Sequence, residues 1–154
     1  MGTEAGAARS QIGGAVHQQR DDRDYDFDPP PQLLRRAARV TNHDLCESGF
    51  MPPVWDQGHY ESCVAHAVAA AWAVAEARTL GLPPGRPSRL FIWHEGCRIQ
   101  HRKPKDPIDL RAAFYAVTKT GVPDEALWVY SRQNITKKPP QRVYDAAKKL
   151  PGVQ

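Results

Sequence analysis

Between Val64 and Leu80 the chain is almost uninterruptedly apolar, with only His66, Glu76, Arg78 and Thr79 polar. A run of this length and composition predicts a helix buried on most sides, with its many alanines suited to close packing by neighbouring elements. Gly81-Leu82-Pro83-Pro84-Gly85 stops it firmly. Immediately upstream lies a polar, Gly-bearing loop, Val54-Trp55-Asp56-Gln57-Gly58-His59-Tyr60-Glu61-Ser62, and Cys63 opens the helix. A helix N-terminus carries partial positive charge, which favours thiolate over thiol. Gln57, six positions before Cys63, brings a side-chain N–H₂ able to donate to a developing oxyanion. Taken alone, Cys63 also reads as a buried, inert thiol, the common state of the residue type.

The 154 residues suit one ordinary domain or part of a larger one. Fourteen Pro and eleven Gly against four Phe and five Tyr predict a loop-rich globule. The net charge of +4 is uneven: residues 101–154 carry 11 Lys/Arg against 5 Asp/Glu, in runs such as Arg102-Lys103-Pro104-Lys105 and Lys137-Lys138. Without a binding motif or basic–aromatic interleaving, these read as a solvated face, and no nucleic-acid partner is expected. No apolar run is long and uncharged enough to span a bilayer, and Met1–Ala15 lacks the basic start and apolar core of a signal peptide. The expectation is a cytoplasmic protein that binds no membrane. Three cysteines form no paired framework and are expected as thiols in a reducing compartment.

Residues 1–44 are expected to be a disordered tail and linker, because the stretch through Pro31 shows no apolar periodicity and cannot offset its chain entropy. Gln32–Val40 is the exception, a short helix with Leu33, Leu34, Ala37 and Val40 on one face; Thr41–Pro53 is a connector. Ser88 is the expected N-cap of a helix through Leu90, Phe91, Ile92, Trp93 and Cys97. Asp109 is the expected N-cap of another, with Leu110, Ala113, Phe114 and Val117 forming its apolar face, ended by Gly121-Val122-Pro123. Leu127–Tyr130 reads as a short extended piece and Val143–Leu150 as a final helix. Strand signal is slight, and the chain reads as mainly helical.

The segment Asp56-Gln57-Gly58-x-x-x-Ser62-Cys63 resembles the nucleophile region of papain-like (C1) cysteine peptidases, most closely the bacterial-type branch without a Trp after the nucleophile. Pro87-Ser88-Arg89-Leu90-Phe91-Ile92, Gly121-Val122, Glu125-x-Leu127-Trp128, Lys138-Pro139-Pro140, Tyr144 and Ala147-Lys148-Lys149 extend the likeness over roughly residues 50–150. The resemblance implies an α+β family fold, of which residues 45–154 supply the mainly α, N-terminal half, with the β-rich half missing. It implies thiol-dependent peptide-bond hydrolysis through an acyl-enzyme, with Cys63 as nucleophile and a polypeptide as substrate. The Gln57 side-chain amide and the Cys63 backbone N–H would form the oxyanion hole. No cofactor and no metal are expected.

In this family the activating His, oriented by an Asn, lies about 130–150 residues beyond the Cys, which is past Gln154. The chain is therefore expected to be truncated and inactive alone, with a complementing half-domain as a possible partner. The alternative is a non-catalytic interaction or scaffold protein derived from such a half-domain. Glu61 stands where the family has Gly, and its charge opposes thiolate formation. Lys105-Asp106-Pro107-Ile108 occupies a loop where the family pairs Gly backbone with substrate, and Pro107 has no N–H to offer. His66, three positions after Cys63, is expected as a satisfied core histidine rather than a substitute base, and His59 as solvent-exposed. His43-x-x-Cys46 and His94-x-x-Cys97 have ligand-like spacing for zinc, but spacings of this kind arise often by chance.

Overall fold

A computed structural model describes residues 18–22, 24, 26–40 and 44–148. Five α-helices follow in order: α1 (Pro31–Ala37), α2 (Cys63–Leu80), α3 (Arg89–Ile99), α4 (Leu110–Tyr115) and α5 (Gln141–Ala147). Short 3-10 turns at Leu45–Ser48 and Glu125–Leu127 and a π turn at Ala116–Thr120 complete the regular structure. Among the described residues the β structure is a single antiparallel bridge between Pro87 and Asp124. The expected extended piece at Leu127–Tyr130 is thus not a strand. Asp124 accepts from the Ala126 N–H at 2.8 Å and winds Glu125–Leu127 into the 3-10 turn, while residues 128–130 carry no regular structure.

The core forms where α2, α3 and α4 pack on one another. The most enclosed element is α3, which contributes Leu90, Phe91, Ile92 and Trp93, none more than 2% exposed. Its N-cap is as expected: the Ser88 hydroxyl accepts from the Phe91 N–H at 3.3 Å and donates to the Trp128 carbonyl at 2.7 Å. Against α3, α2 buries Val64, Ala65, Val68, Ala69, Ala73 and Ala77. The expectation that α2 is enclosed on most sides needs correction, because Ala67, Ala71 and Ala75 are exposed along one stripe. Alanine carries so little apolar area that an all-Ala pattern does not distinguish a covered face from an open one.

Asp109 caps α4 as expected, accepting from the Ala112 N–H at 2.8 Å. The buried face of α4 and of the π turn that continues it matches the expected one at Ala113 and Val117 but not at Leu110 and Phe114. Ala112, Ala113, Ala116 and Val117 are buried, while Leu110 and Phe114 are each 51% exposed. The small side chains turn inward, where helices approach closely, and the bulky ones stay at the margin. Gly121, at φ 85°, ends the segment. A Cβ there would overlap the Ala147 carbonyl, so α5 rests directly on glycine backbone. Only Val143 and Ala147 of α5 are buried, and the expected extension to Leu150 passes outside the described residues.

α1, at Pro31–Ala37, overlaps the expected Gln32–Val40 but starts one residue earlier and ends three earlier, and it buries nothing; Leu33, Leu34 and Val40 are exposed. Upstream of it, Asp24 receives three hydrogen bonds from the Arg111 guanidinium at 2.7, 2.9 and 3.2 Å, and Gln18 accepts from the Arg111 backbone N–H at 2.9 Å. No helix among the described residues is long and apolar enough to cross a membrane.

Candidate active site

The loop before α2 is shaped by its own polar groups. Asp56 accepts from the Gly58 N–H at 2.8 Å, and Gly58 takes the left-handed conformation at φ 62°. The Gln57 side-chain amide then donates to the Tyr60 carbonyl at 3.0 Å, closing the loop on itself. An amide NH₂ has two hydrogens, so this bond fixes the Gln57 side chain and leaves a second donor. The Tyr60 ring packs against Trp93 and Tyr130, with centroids 6.3 and 6.4 Å away.

Cys63 is the first residue of α2 and is half-buried. Ser62 before it is fully buried. Tyr130, from a distant part of the chain, joins both ends of this loop. Its hydroxyl donates to the Gln57 carbonyl at 2.9 Å and lies 2.7 Å from the Ser62 hydroxyl. Because the Tyr130 proton is committed to Gln57, Ser62 donates to Tyr130. One side chain therefore sets the spacing between the Gln57 backbone and the residue preceding Cys63.

Behind this contact lies a buried charged group. Arg89 and Glu125 pair at 2.6 Å with side chains 9% and 8% exposed. Glu125 also accepts from the Arg89 and Tyr130 backbone N–H groups at 3.2 and 2.9 Å. The guanidinium lies over the Trp55 and Tyr130 rings, 5.1 and 5.0 Å from their centroids. His66 completes the group. Arg89 can only donate, so the His66 Nε2 at 3.3 Å accepts from it, and Nδ1–H donates to the Ser62 carbonyl at 3.0 Å. Burial pushes the His66 pKa down, an effect that the Ser62 contact opposes and nearby Arg89 reinforces. His66 is a satisfied histidine with both nitrogens committed, as expected. His59 and Glu61 are exposed.

The zinc spacings do not converge. Cys46 is exposed, and the Cys97 thiol is buried and donates to the Asp106 carbonyl at 3.5 Å. His94 faces Glu95 across 3.4 Å, off the hydrogen-bonding direction. Among the described residues no group of three or more His, Cys, Asp or Glu is placed to hold a metal; His43 lies outside them.

Sequence reasoning singled out Cys63 and Gln57 but gave no site role to Tyr130, Arg89 or Glu125. The available signal was Arg89 itself, a charge at the start of an otherwise apolar helix, where burial demands a partner. Nothing local identifies that partner, 36 residues away.

A cysteine opening the central helix of a helical core, with a glutamine-bearing loop tied beside it, is the arrangement of a papain-like fold. The solved structure of xylellain, a cysteine protease from Xylella fastidiosa, superposes with a TM-score of 0.70 at 24% identity, covering 90% of this chain and 55% of that one. An uncharacterized peptidase C1-like protein of Acanthamoeba polyphaga mimivirus is 36% identical over 94 residues, covering 60% of this chain. This chain spans only 30% of that relative's length. No family model matches. Fold and relative together bear out the resemblance to papain-like, C1-type cysteine peptidases, with partial coverage of their length.

Proposed function

We propose that the chain carries the nucleophile side of a papain-like cysteine peptidase site and that residues 45–154 form the N-terminal, helical half of such a domain. Cys63 is the nucleophile, attacking a peptide carbonyl as thiolate to form an acyl-enzyme. Gln57, through its second amide hydrogen, and the Cys63 backbone N–H receive the oxyanion. The observation that carries this reading is the double tie of Tyr130 to Gln57 and Ser62, which holds the donor loop against the helix start. The base comes from the β-rich half, supplied by a complementing segment, and the substrate is a polypeptide. The open Ala67–Ala71–Ala75 stripe, which nothing covers among the described residues, suits burial against that half.

The alternative, a non-catalytic interaction protein built on the half-domain, is favoured by one observation: the imidazole nearest Cys63 in sequence has both nitrogens committed. A fluorogenic peptide assay on the chain alone tests the half-site reading. No turnover is expected; hydrolysis that disappears in Cys63→Ala would show that the chain already contains its base and overturn the need for a second half.

A further inference from the structure

The basic runs that look like a solvated face in the sequence meet in one place. Two adjoining cavities, of about 490 and about 360 Å³, lie where the C-terminal part of α3 faces α5 and the 136–139 segment. Both are lined by Arg98 and Lys138; the larger adds Tyr144 and Lys148, the smaller His94 and Arg102. Volumes of this size fall within the range of small-molecule sites.

The charges in the cleft are not balanced. Arg98 is compensated from beneath by Glu95, which is fully buried and accepts from Arg98 at 2.9 Å and from the Tyr144 hydroxyl at 2.8 Å. Arg102, Lys138 and Lys148 have no carboxylate within ion-pair distance among the described residues. Three uncompensated cations around one cleft raise the local concentration of anions. We propose that this cleft is a binding site for a small compound carrying a diphosphate, its two adjacent phosphate groups held around Arg98 and Lys138, the residues that the two cavities share. Two such groups bring roughly −3 to −4 of charge at neutral pH, enough to balance the three cations, whereas two carboxylates would leave the site positive. Lysine ammonium groups suit this role because each is a compact point charge whose three donors meet phosphate oxygens from several directions.

The test is calorimetric titration of the full chain with inorganic pyrophosphate, against sulfate at matched ionic strength. The expected result is pyrophosphate binding at least tenfold tighter than sulfate, weakened at least tenfold by Lys138→Glu and by Arg102→Glu. Both positions are exposed, so these variants keep the fold, and circular dichroism checks that they do. Lys119→Glu, an exposed lysine outside the cleft, should bind as the parent chain does. Equal affinity for pyrophosphate and sulfate, or an equal loss in Lys119→Glu, would overturn the site. Tighter binding of an oligoglutamate peptide or of a single-stranded oligonucleotide, lost in the same variants, would overturn the small-ligand assignment.

Discussion

Tyr130 is the residue on which the geometry of the proposed site depends. Phenylalanine at this position keeps the ring between Tyr60 and His66 but removes the hydroxyl that Gln57 and Ser62 share. Loss of a buried hydrogen-bonding group costs on the order of 1–3 kcal/mol, so Tyr130→Phe should lower the urea midpoint by a corresponding amount. A merely structural role would end there. A positioning role predicts in addition that Cys63 alkylation slows in the folded variant at equal pH. Cys63 and Gln57 were legible in the sequence because their relation is local, a donor six residues ahead of a thiol at a helix start. Tyr130 was not, because its contact with Ser62 spans 68 residues and nothing in its own neighbourhood announces it.

Protonation at two buried residues gives the chain a pH dependence with a defined sign. Burial pushes the Glu95 carboxyl upward, but the nearby His94 ring and hydrogen bonds from Arg98 and Tyr144 outweigh it and hold the group at about 2. A depressed carboxyl contributes stability that is present above its unfolded value of 4.5 and is lost as pH falls toward about 2. His66 has the same sign for a different reason: it is buried neutral, so its folded pKa lies below 6.5 and stability declines as pH falls from there. Denaturation midpoints measured from pH 7 to pH 3 should therefore fall in two stages. His66→Gln should remove the upper stage and leave the lower. A midpoint that stays flat between pH 6.5 and pH 5 in the parent chain would contradict the neutral, buried state of His66.

Among the elements, α2 and α3 were both legible, since one is bounded by a loop and a Gly-Pro stop and the other by the Ser88 cap. Which faces they cover was less so. The alanines of α2 fit either a packed or an open surface, and the structure divides them by a stripe at Ala67, Ala71 and Ala75. Between α2 and α4 this leaves a hollow of about 310 Å³ lined by Trp72 and Phe114 among others. The division is testable by charge. Ala71→Glu should change stability by no more than about 0.5 kcal/mol, as for an ordinary surface substitution. Ala73→Glu, at a position with no exposure, buries an unpaired carboxylate and should unfold the chain. Equal effects at the two positions would contradict the open stripe.

At the scale of the whole molecule, the described residues form a helical core with its own caps, with one alanine stripe left exposed along α2. The resemblance carried the α+β expectation; among the described residues only the helical share of it is present, joined by a single β bridge. The polar group of Arg89, Glu125, His66 and Tyr130 holds the loop before α2 in place from within the helical core. These residues fix the loop from behind rather than across the cleft.

The central claim is that Cys63 sits in a retained nucleophile environment, and the chain carries its own reference thiols. Asp44 raises the pKa of Cys46, chiefly by hydrogen bonding, and burial pushes Cys97 up to about 11. Iodoacetamide alkylation at pH 6, followed residue by residue by mass spectrometry, compares the three directly. The account predicts that Cys63 reacts first and at least tenfold faster than Cys46 or Cys97. A Cys63 that reacts no faster than the exposed Cys46 would contradict it.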